Sequence, residues 1–338
     1  MPTIARSVCR RCALQAVLAW ASATVTASVW AAPMTLKFAT WNLEWFLTPA
    51  TFNTLKAGCT RGDQSHRRVP RSIPCDVAAN QERSATDIAG LARYARTLDA
   101  DVVALQEVDG PSAARQVFPR HEFCFTGGRA VQNTGFAIRR GLPFRCGADL
   151  TAMSLGDTVR RGATMQLFPG TSRELYMLAV HLKSGCSRQA LNSSAAACER
   201  LARQAPALHD WVQAQRAARH RFVVLGDFNR DLLAESWRMS GIPGGEERGA
   251  ASDGNGLWAQ LSRDAVSAAL INTASGEAFH NCYRGQTHTG YIDYILLGDS
   301  LASKMVHGSF QRLSYSATDA WRLKLSDHCP VAIRLRLD

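Results

Sequence analysis

Lysine is scarce in this chain. Of 39 basic residues only Lys37, Lys56, Lys183, Lys304 and Lys324 are lysine, so arginine carries nearly all of the positive charge. Arginine's planar fork suits bidentate phosphate contact, although genome composition gives the same bias. Charged residues are few as well, 20% against 46% apolar, which excludes wholesale disorder. Acids are the scarcer sign: 28 against 39 bases leave a formal charge of +11, which favours a polyanionic partner. No internal repeat and no low-complexity linker breaks the chain, so a repeat array does not fit. At 338 residues it is long enough for one large domain or two small ones.

One long apolar run is present, and it lies at the start. Arg6, Arg10 and Arg11 precede an alanine-rich stretch from Cys12 to Ala31, and Val29-Trp30-Ala31 fits a small-residue cleavage site. Residues 1–31 are therefore expected to be a signal peptide, with a single catalytic domain over residues 32–338. An uncleaved anchor is the alternative, but Ser22, Thr24, Thr26 and Ser28 interrupt a run that barely reaches spanning length. Neither a lipoprotein cysteine nor the surroundings of a twin-arginine signal are present. Removing this segment takes away three arginines and no acids, so +8 of the +11 remains.

Export agrees with the cysteines. Beyond the leader there are eight: Cys59, Cys75, Cys124, Cys146, Cys186, Cys198, Cys282 and Cys329. An even count in an exported chain suggests disulfides, and the first six fall into three pairs of local neighbours. Sequence does not fix the pairing. A zinc site is the rival, and the absence of any Cys-x-x-Cys spacing beyond the leader counts against it. The expected location is secreted or periplasmic.

Phe222-Val223-Val224-Leu225-Gly226-Asp227-Phe228-Asn229 is the stretch around which the chain is organised. Four apolar residues in a row predict a strand buried on both faces. It ends by delivering a carboxylate and a carboxamide two residues apart, on one face of extended chain. Such a pair can handle a proton, face a cation and donate to a phosphoryl oxygen; the bland alternative is a tight turn.

Other strands end the same way. Leu36–Leu43 carries Asn42, Asp101–Glu107 delivers Glu107, Leu175–Val180 delivers His181, Ile292–Leu297 holds Asp293, and Asp327-His328 precedes a last strand over Val331–Leu335. Strands are also expected over 135–138 and 163–167. An amphipathic helix is expected from Gln81 to Leu98, and another across Leu201, Ala205, Leu208 and Val212 with Pro206 kinking or restarting it. Thr48–Pro74 is expected to be a polar excursion and 240–256 a loop. Alternation of strands and helices predicts one α/β domain. Each polar residue alone has a dull explanation as a cap, a surface acid or a core histidine. Seven at strand ends make that explanation poor, because loops at one sheet edge are where a rigid scaffold presents catalytic groups.

Trp41-Asn42-Leu43-Glu44, Leu105-Gln106-Glu107-Val108, Val180-His181-Leu182, Gly226-Asp227-Phe228-Asn229, Ile292-Asp293-Tyr294 and Ser326-Asp327-His328 stand in the order found in the endonuclease/exonuclease/phosphatase superfamily, which the chain resembles from about Leu36 to Leu335. The resemblance implies a four-layer α/β sandwich, two facing mixed β-sheets flanked by helices. It further implies that Glu107, with Asn42 and Asp327 nearby, holds a divalent ion. Mg²⁺ is expected, with Mn²⁺ or Ca²⁺ as alternatives. Asp227 and Asn229 would orient the attacking water and a phosphoryl oxygen. His328, held by Asp293, would take the proton or stabilise the phosphorus centre, and which of Asp227 and His328 is the base stays open.

His181 matches the histidine that protonates the leaving oxygen in the deoxyribonuclease branch. That branch places a supporting glutamate just before the strand at 136–138, where Gln132 and Asn133 stand here. Its basic residue two positions after the metal glutamate is Asp109 here, and Tyr294 stands where inositol phosphatases have arginine. Arg160 and Arg161 both resemble its phosphate-contacting arginine. The expected function is an exported metal-dependent phosphodiesterase, a non-specific nuclease acting on DNA, with RNA as a further substrate. A sphingomyelinase-like lipid phosphodiesterase or phosphatase is the alternative, and a non-catalytic polyanion-binding relative stands behind both. The expected partner is nucleic acid, without stable membrane association; the sequence points to no protein partner. The segment from Cys59 to Cys75, with Arg67 and Arg68, reads either as a solvated basic loop or as a disulfide-closed arm lying along the nucleic-acid backbone.

Overall fold

Two β-sheets packed face to face, each of six strands, form the frame. The computed structural model describes residues 33–61, 71–128, 130–239, 256–262, 270–283, 286 and 290–338. In chain order these form β1 (Met34–Phe46), α1 (Pro49–Lys56), α2 (Cys75–Asn80), α3 (Ala85–Leu98), β2 (Val102–Val108), α4 (Pro111–Val117), β3 (His121–Phe125), β4 (Asn133–Arg139) and β5 (Phe144–Cys146). There follow β6 (Ala163–Leu167), β7 (Leu175–His181), α5 (Ala196–Ala217), β8 (Phe222–Asp227), α6 (Leu232–Met239), α7 (Leu257–Ser262), β9 (Ile271–Asn272), β10 (Asp293–Leu297), β11 (Gln311–Arg312), α8 (Ala317–Arg322) and β12 (Val331–Leu337). Pro33–Asp338 forms one compact unit. The signal-peptide expectation for residues 1–31 lies outside the described residues, as do Arg67, Arg68 and nearly all of the 240–256 loop.

The first sheet runs β11-β12-β1-β2-β4-β3 and the second β5-β6-β7-β8-β10-β9. Both are mixed: β1 with β2 and β7 with β8 are parallel, and the other neighbours antiparallel. Alternation does the sorting. Phe38, Val102, Ala104, Phe136 and Ile138 point inward to meet Met165, Met177, Ala179, Val223, Leu225 and Ile295 of the facing sheet. The outward residues of the first sheet pack under α3 and α4, and those of the second under α5, α6 and α7. The expected four-layer α/β sandwich is the one observed.

Topology then gathers the polar residues. Parallel strands β1, β2, β7 and β8 end at the same rim where antiparallel β10 and β12 begin, so Asp293 sits opposite Asp227 and Thr40 opposite Val331. Gly226 lets β7 and β8 close there. A Cβ on it would lie 2.0 Å from the Val180 carbonyl oxygen, so only glycine fits.

Element ends differ from the sequence reading for identifiable reasons. α3 starts at Ala85 rather than Gln81, because Ser84 and Asp87 form a reciprocal capping box. α5 runs unbroken through Pro206, its buried face of Leu201, Ala205, Leu208 and Val212 holding it to the sheet. The polar excursion contains α1, capped by Thr48. β1 continues past Asn42 to Phe46 through an irregularity at which Glu44 and Trp45 take left-handed backbone, φ 48° and 47°. The eight cysteines form four disulfides: the three local pairs Cys59–Cys75, Cys124–Cys146 and Cys186–Cys198, and also Cys282–Cys329. Four bridges suit an oxidising, extracellular environment. Among the described residues no helix is long and apolar enough to cross a membrane.

Candidate active site

Asp227 is the hub of the rim. Its Oδ2 accepts from Asn42 Nδ2 and from Asn229 Nδ2, both at 3.0 Å, and its Oδ1 accepts from the Asn229 backbone N–H at 2.8 Å. Asn229 achieves this with left-handed backbone, φ 51°, and also donates to the Leu182 carbonyl at 3.0 Å. Two imidazoles approach the same oxygen, His181 Nε2 at 3.5 Å and His328 Nε2 at 3.8 Å.

His328 is held on its other side by Asp293, Nδ1 to Oδ2 at 2.8 Å. Its backbone is pinned too. Trp41 Nε1 and the Tyr315 hydroxyl donate to its carbonyl, Ser326 Oγ accepts from its N–H, and the Cys282–Cys329 bridge follows at once. Burial alone would lower the pKa of His328, but the charges of Asp293 and Asp227 outweigh it and hold the ring protonated well above its ordinary range. Asp227 moves upward as well. Burial, aided by the charge of Asp293, lifts its carboxyl to about 7 against the pull of His328 and the amide hydrogen bonds.

Glu107 sits at a left-handed position of β2, φ 61°. Its carboxylate accepts from the Trp45 N–H at 3.0 Å, Asn42 Nδ2 at 3.3 Å and Gln132 Nε2 at 2.5 Å, with His181 Nε2 3.6 Å away. Gln132 turns its carbonyl oxygen to Arg160, which thereby faces Glu107 and Asp227. The adjacent arginine goes elsewhere. Arg161 is bound by both oxygens of Asp157 at 2.8 Å, by Asp149 and by the Gly127 carbonyl, so of the two candidates only Arg160 reaches the rim. Neither Gln132 nor Asn133 supports His181; Asn133 Nδ2 donates to the Ala130 carbonyl. His181 is buried, and this burial together with the charge of Arg160 holds its pKa well below the usual value. At neutral pH it is an uncharged ring.

Asp327 is half-exposed at the mouth, and its backbone N–H donates to Glu44 at 3.1 Å. In sequence Glu44 stands out only as the last residue of the Trp41-Asn42-Leu43-Glu44 motif. It also accepts from Gln81 Nε2 at 2.6 Å, while Arg83 lies 3.5 Å away and bonds the Glu44 carbonyl. Burial and the nearby charge of Asp327 lift the Glu44 carboxyl to about 7. Its position two residues after Asn42 was the available signal, but the backbone irregularity that aims it is not visible in sequence.

Glu44, Glu107 and Asp327 are oxygen donors of the kind a hard divalent ion takes, and a cation would relieve the repulsion between Glu44 and Asp327, although the three do not bring their ligand atoms within 4.8 Å of one another. A cavity of about 170 Å³ beside Glu44 and Asp327, also lined by Tyr283 and Tyr315, leaves room for retained waters. Asn42 turns Oδ1 to the Glu44 N–H, so its nitrogen rather than its oxygen faces the carboxylates. Asp227, Asp293 and His328 bring three ligand atoms within 4.8 Å of one another. There His328 Nδ1 already bonds Asp293 Oδ2 at 2.8 Å.

A family model described as Endonuclease/Exonuclease/phosphatase family matches residues 39–328. The chain belongs to that family. Its members are usually divalent-metal-dependent hydrolases acting on phosphodiester bonds. An endonuclease/exonuclease/phosphatase family protein of Bacteroides thetaiotaomicron superposes with a TM-score of 0.53 at 14% identity, covering 90% of this chain and 96% of that one. A second, from Bacteroides vulgatus, gives 0.52 at 12% identity with 90% and 100% covered. At such identities the likeness speaks for the fold. No curated protein matches the chain in sequence.

Stability should therefore depend on pH and cation together. Glu44 and Asp227 keep their protons in the folded chain up to about pH 7, whereas in an unfolded chain they lose them near their ordinary 4.5 and 3.8. Between those values the folded state binds more protons, so stability falls as pH rises. In chelator-treated protein the Tm is expected to drop from about pH 5 to about pH 7.5. Added Mg²⁺ should raise it far more at the upper pH. Equal stabilisation at both would remove the carboxylates from the cation site.

Proposed function

We propose that the protein is an exported, divalent-metal-dependent phosphodiesterase that hydrolyses nucleic acid, DNA first and RNA as a further substrate. The observation that carries the chemistry is the Asp293–His328 pair facing Asp227, on the same rim as Glu107 and Asn42. His328 Nε2 lies 3.8 Å from Asp227 Oδ2; burial raises the pKa of the Asp227 carboxyl to about 7, and against burial the charges of Asp293 and Asp227 raise that of the His328 imidazole. The remaining net charge of +8, carried by arginine, supports a polyanionic substrate. The apolar leader and four disulfides support export.

Asp227, oriented by Asn42 and Asn229, takes the proton of the attacking water. His328, kept cationic by Asp293, stabilises negative charge on the phosphoryl oxygens, with Arg160 as a second contact. His181 donates a hydrogen bond through Nε2 and, being uncharged, does not give up a proton; the leaving oxygen takes one from solvent. Glu107, Glu44 and Asp327 would hold the ion, and Mg²⁺ is proposed. When bound it supplies Lewis acidity toward a phosphoryl oxygen. Arg67 and Arg68, between Cys59 and Cys75, are proposed to contact backbone phosphates. The base of that arm is anchored beside Glu107, since Arg71 pairs with Asp109 at 2.7 Å.

Plasmid incubated with Mg²⁺ should be cleaved, and chelator should stop it. Alanine at Glu107, Asp227 or His328 should lower turnover by about 10²–10³ or more without unfolding the chain. Near-normal activity in His328→Ala would break the assignment, and intact plasmid beside cleaved sphingomyelin would move the substrate to lipid.

For the arm, Arg67→Ala/Arg68→Ala should raise KM on long DNA. It should also flatten the log–log salt dependence by about one unit per lost phosphate contact. An unchanged KM and slope would make the arm solvated surface.

A further inference from the structure

Beneath the rim the inner faces of the two sheets turn polar. Along β2 the inward positions are Val102, Ala104 and then Gln106; along β4, read back from Ile138 and Phe136, the next is Thr134. The ladder pairs Leu105 with Gly135 and Val108 with Asn133, so Gln106 and Thr134 are neighbours across the irregularity between them. His181 follows Met177 and Ala179 on the inner face of β7, which lies against β2 and β4 across the core. Gln106 and Thr134 are 0% exposed and His181 1%.

Each of these side chains leaves one atom without a protein partner: Gln106 Nε2, Thr134 Oγ1 and His181 Nδ1. Buried polar atoms are rarely left so. The orientation of Gln106 is set by Thr40, whose hydroxyl donates to Gln106 Oε1 at 3.2 Å, which leaves the amide N–H groups to donate elsewhere. The trio is thus a donor, a hydroxyl that can do either, and a ring nitrogen. His181 Nε2 faces carboxylate oxygens of Asp227 and Glu107 at 3.5 and 3.6 Å, so that nitrogen carries a hydrogen, and Nδ1 is the ring atom left to accept on the inner side.

We propose that an ordered water molecule is bound between the sheets by Gln106, Thr134 and His181, and that it fixes His181 in the tautomer presenting Nε2–H to the substrate. The water accepts from Gln106 Nε2, donates to His181 Nδ1 and shares a hydrogen bond with Thr134 Oγ1, three partners as buried waters commonly have. Gln106 and Thr134 are then positioning residues, acting through His181 as second-layer groups act through a ligand. They do with neutral groups what a carboxylate partner would do with charge. Only the effect on turnover rests on the proposed phosphodiesterase reading; the water and the tautomer stand apart from it.

A high-resolution crystal structure of the full folded domain and ¹⁵N NMR of its histidine-labelled form test this together. The wild type is expected to show the water and an Nε2–H, Nδ1-acceptor His181. Thr134→Val should lose the water, give His181 mixed tautomers and lower kcat roughly tenfold with KM little changed. Thr134→Ser should retain all three properties. An empty floor in the wild type, an Nδ1–H tautomer, or a Thr134→Val protein that keeps both water and tautomer would overturn the proposal. If the water and tautomer respond but kcat does not, the positioning role falls. Should Thr134→Val fail to fold, the wild type and Thr134→Ser still decide the water and the tautomer.

Discussion

One buried oxygen organises the rim. Asp227 Oδ2 receives Asn42 and His328 from the first sheet, and Asn229 and His181 from the second, at 3.0 to 3.8 Å. A carboxylate this buried is costly to ionise alone, and the fold answers with amide donors and a neighbouring cation rather than with solvent. The cost is not cancelled, as its pKa near 7 records. That residue of unfavourable energy is what makes a carboxyl useful as a proton acceptor at neutral pH.

The same constraint explains the surrounding scaffold. His328 must stay close to Asp227 and Asp293 to remain cationic, so its turn is held by Trp41, Tyr315, Ser326 and a disulfide from the next residue. Glu107 and Glu44 both stand on left-handed backbone, where the Trp45 N–H holds the Glu107 carboxylate and Arg83 holds the Glu44 carbonyl. The rim is a place where like charges are crowded and kept from relaxing.

Much of this was legible in the sequence, for one reason. Strands buried on both faces read as apolar runs, and polar residues ending them stand out, as Asn42, Glu107, His181, Asp227, Asn229, Asp327 and His328 do; Asp293 reads as an acid inside its strand and takes its place through the family resemblance, and the fold brings all eight to one rim. What was not legible depended on direction rather than position. Arg160 and Arg161 are adjacent, yet the first meets Gln132 and the second is spent on Asp157 and Asp149. Gln132 stands where a partner for His181 was expected, yet it bridges Glu107 and Arg160. Glu44 is aimed by an irregular strand whose positive φ no residue type announced. Cys282 and Cys329 are 47 residues apart and meet only because β10 and β12 begin at the same rim.

The choice of Asp227 as base and His328 as fixed cation is the central claim, and the pH dependence of kcat/KM tests it most directly. In the wild type the rate should climb with pH through a midpoint near 7, as Asp227 loses its proton. The residual activity of Asp227→Asn should lack that limb, while that of His328→Asn should keep an ascending limb. A limb that survives in Asp227→Asn and vanishes in His328→Asn would contradict the account and make His328 the base.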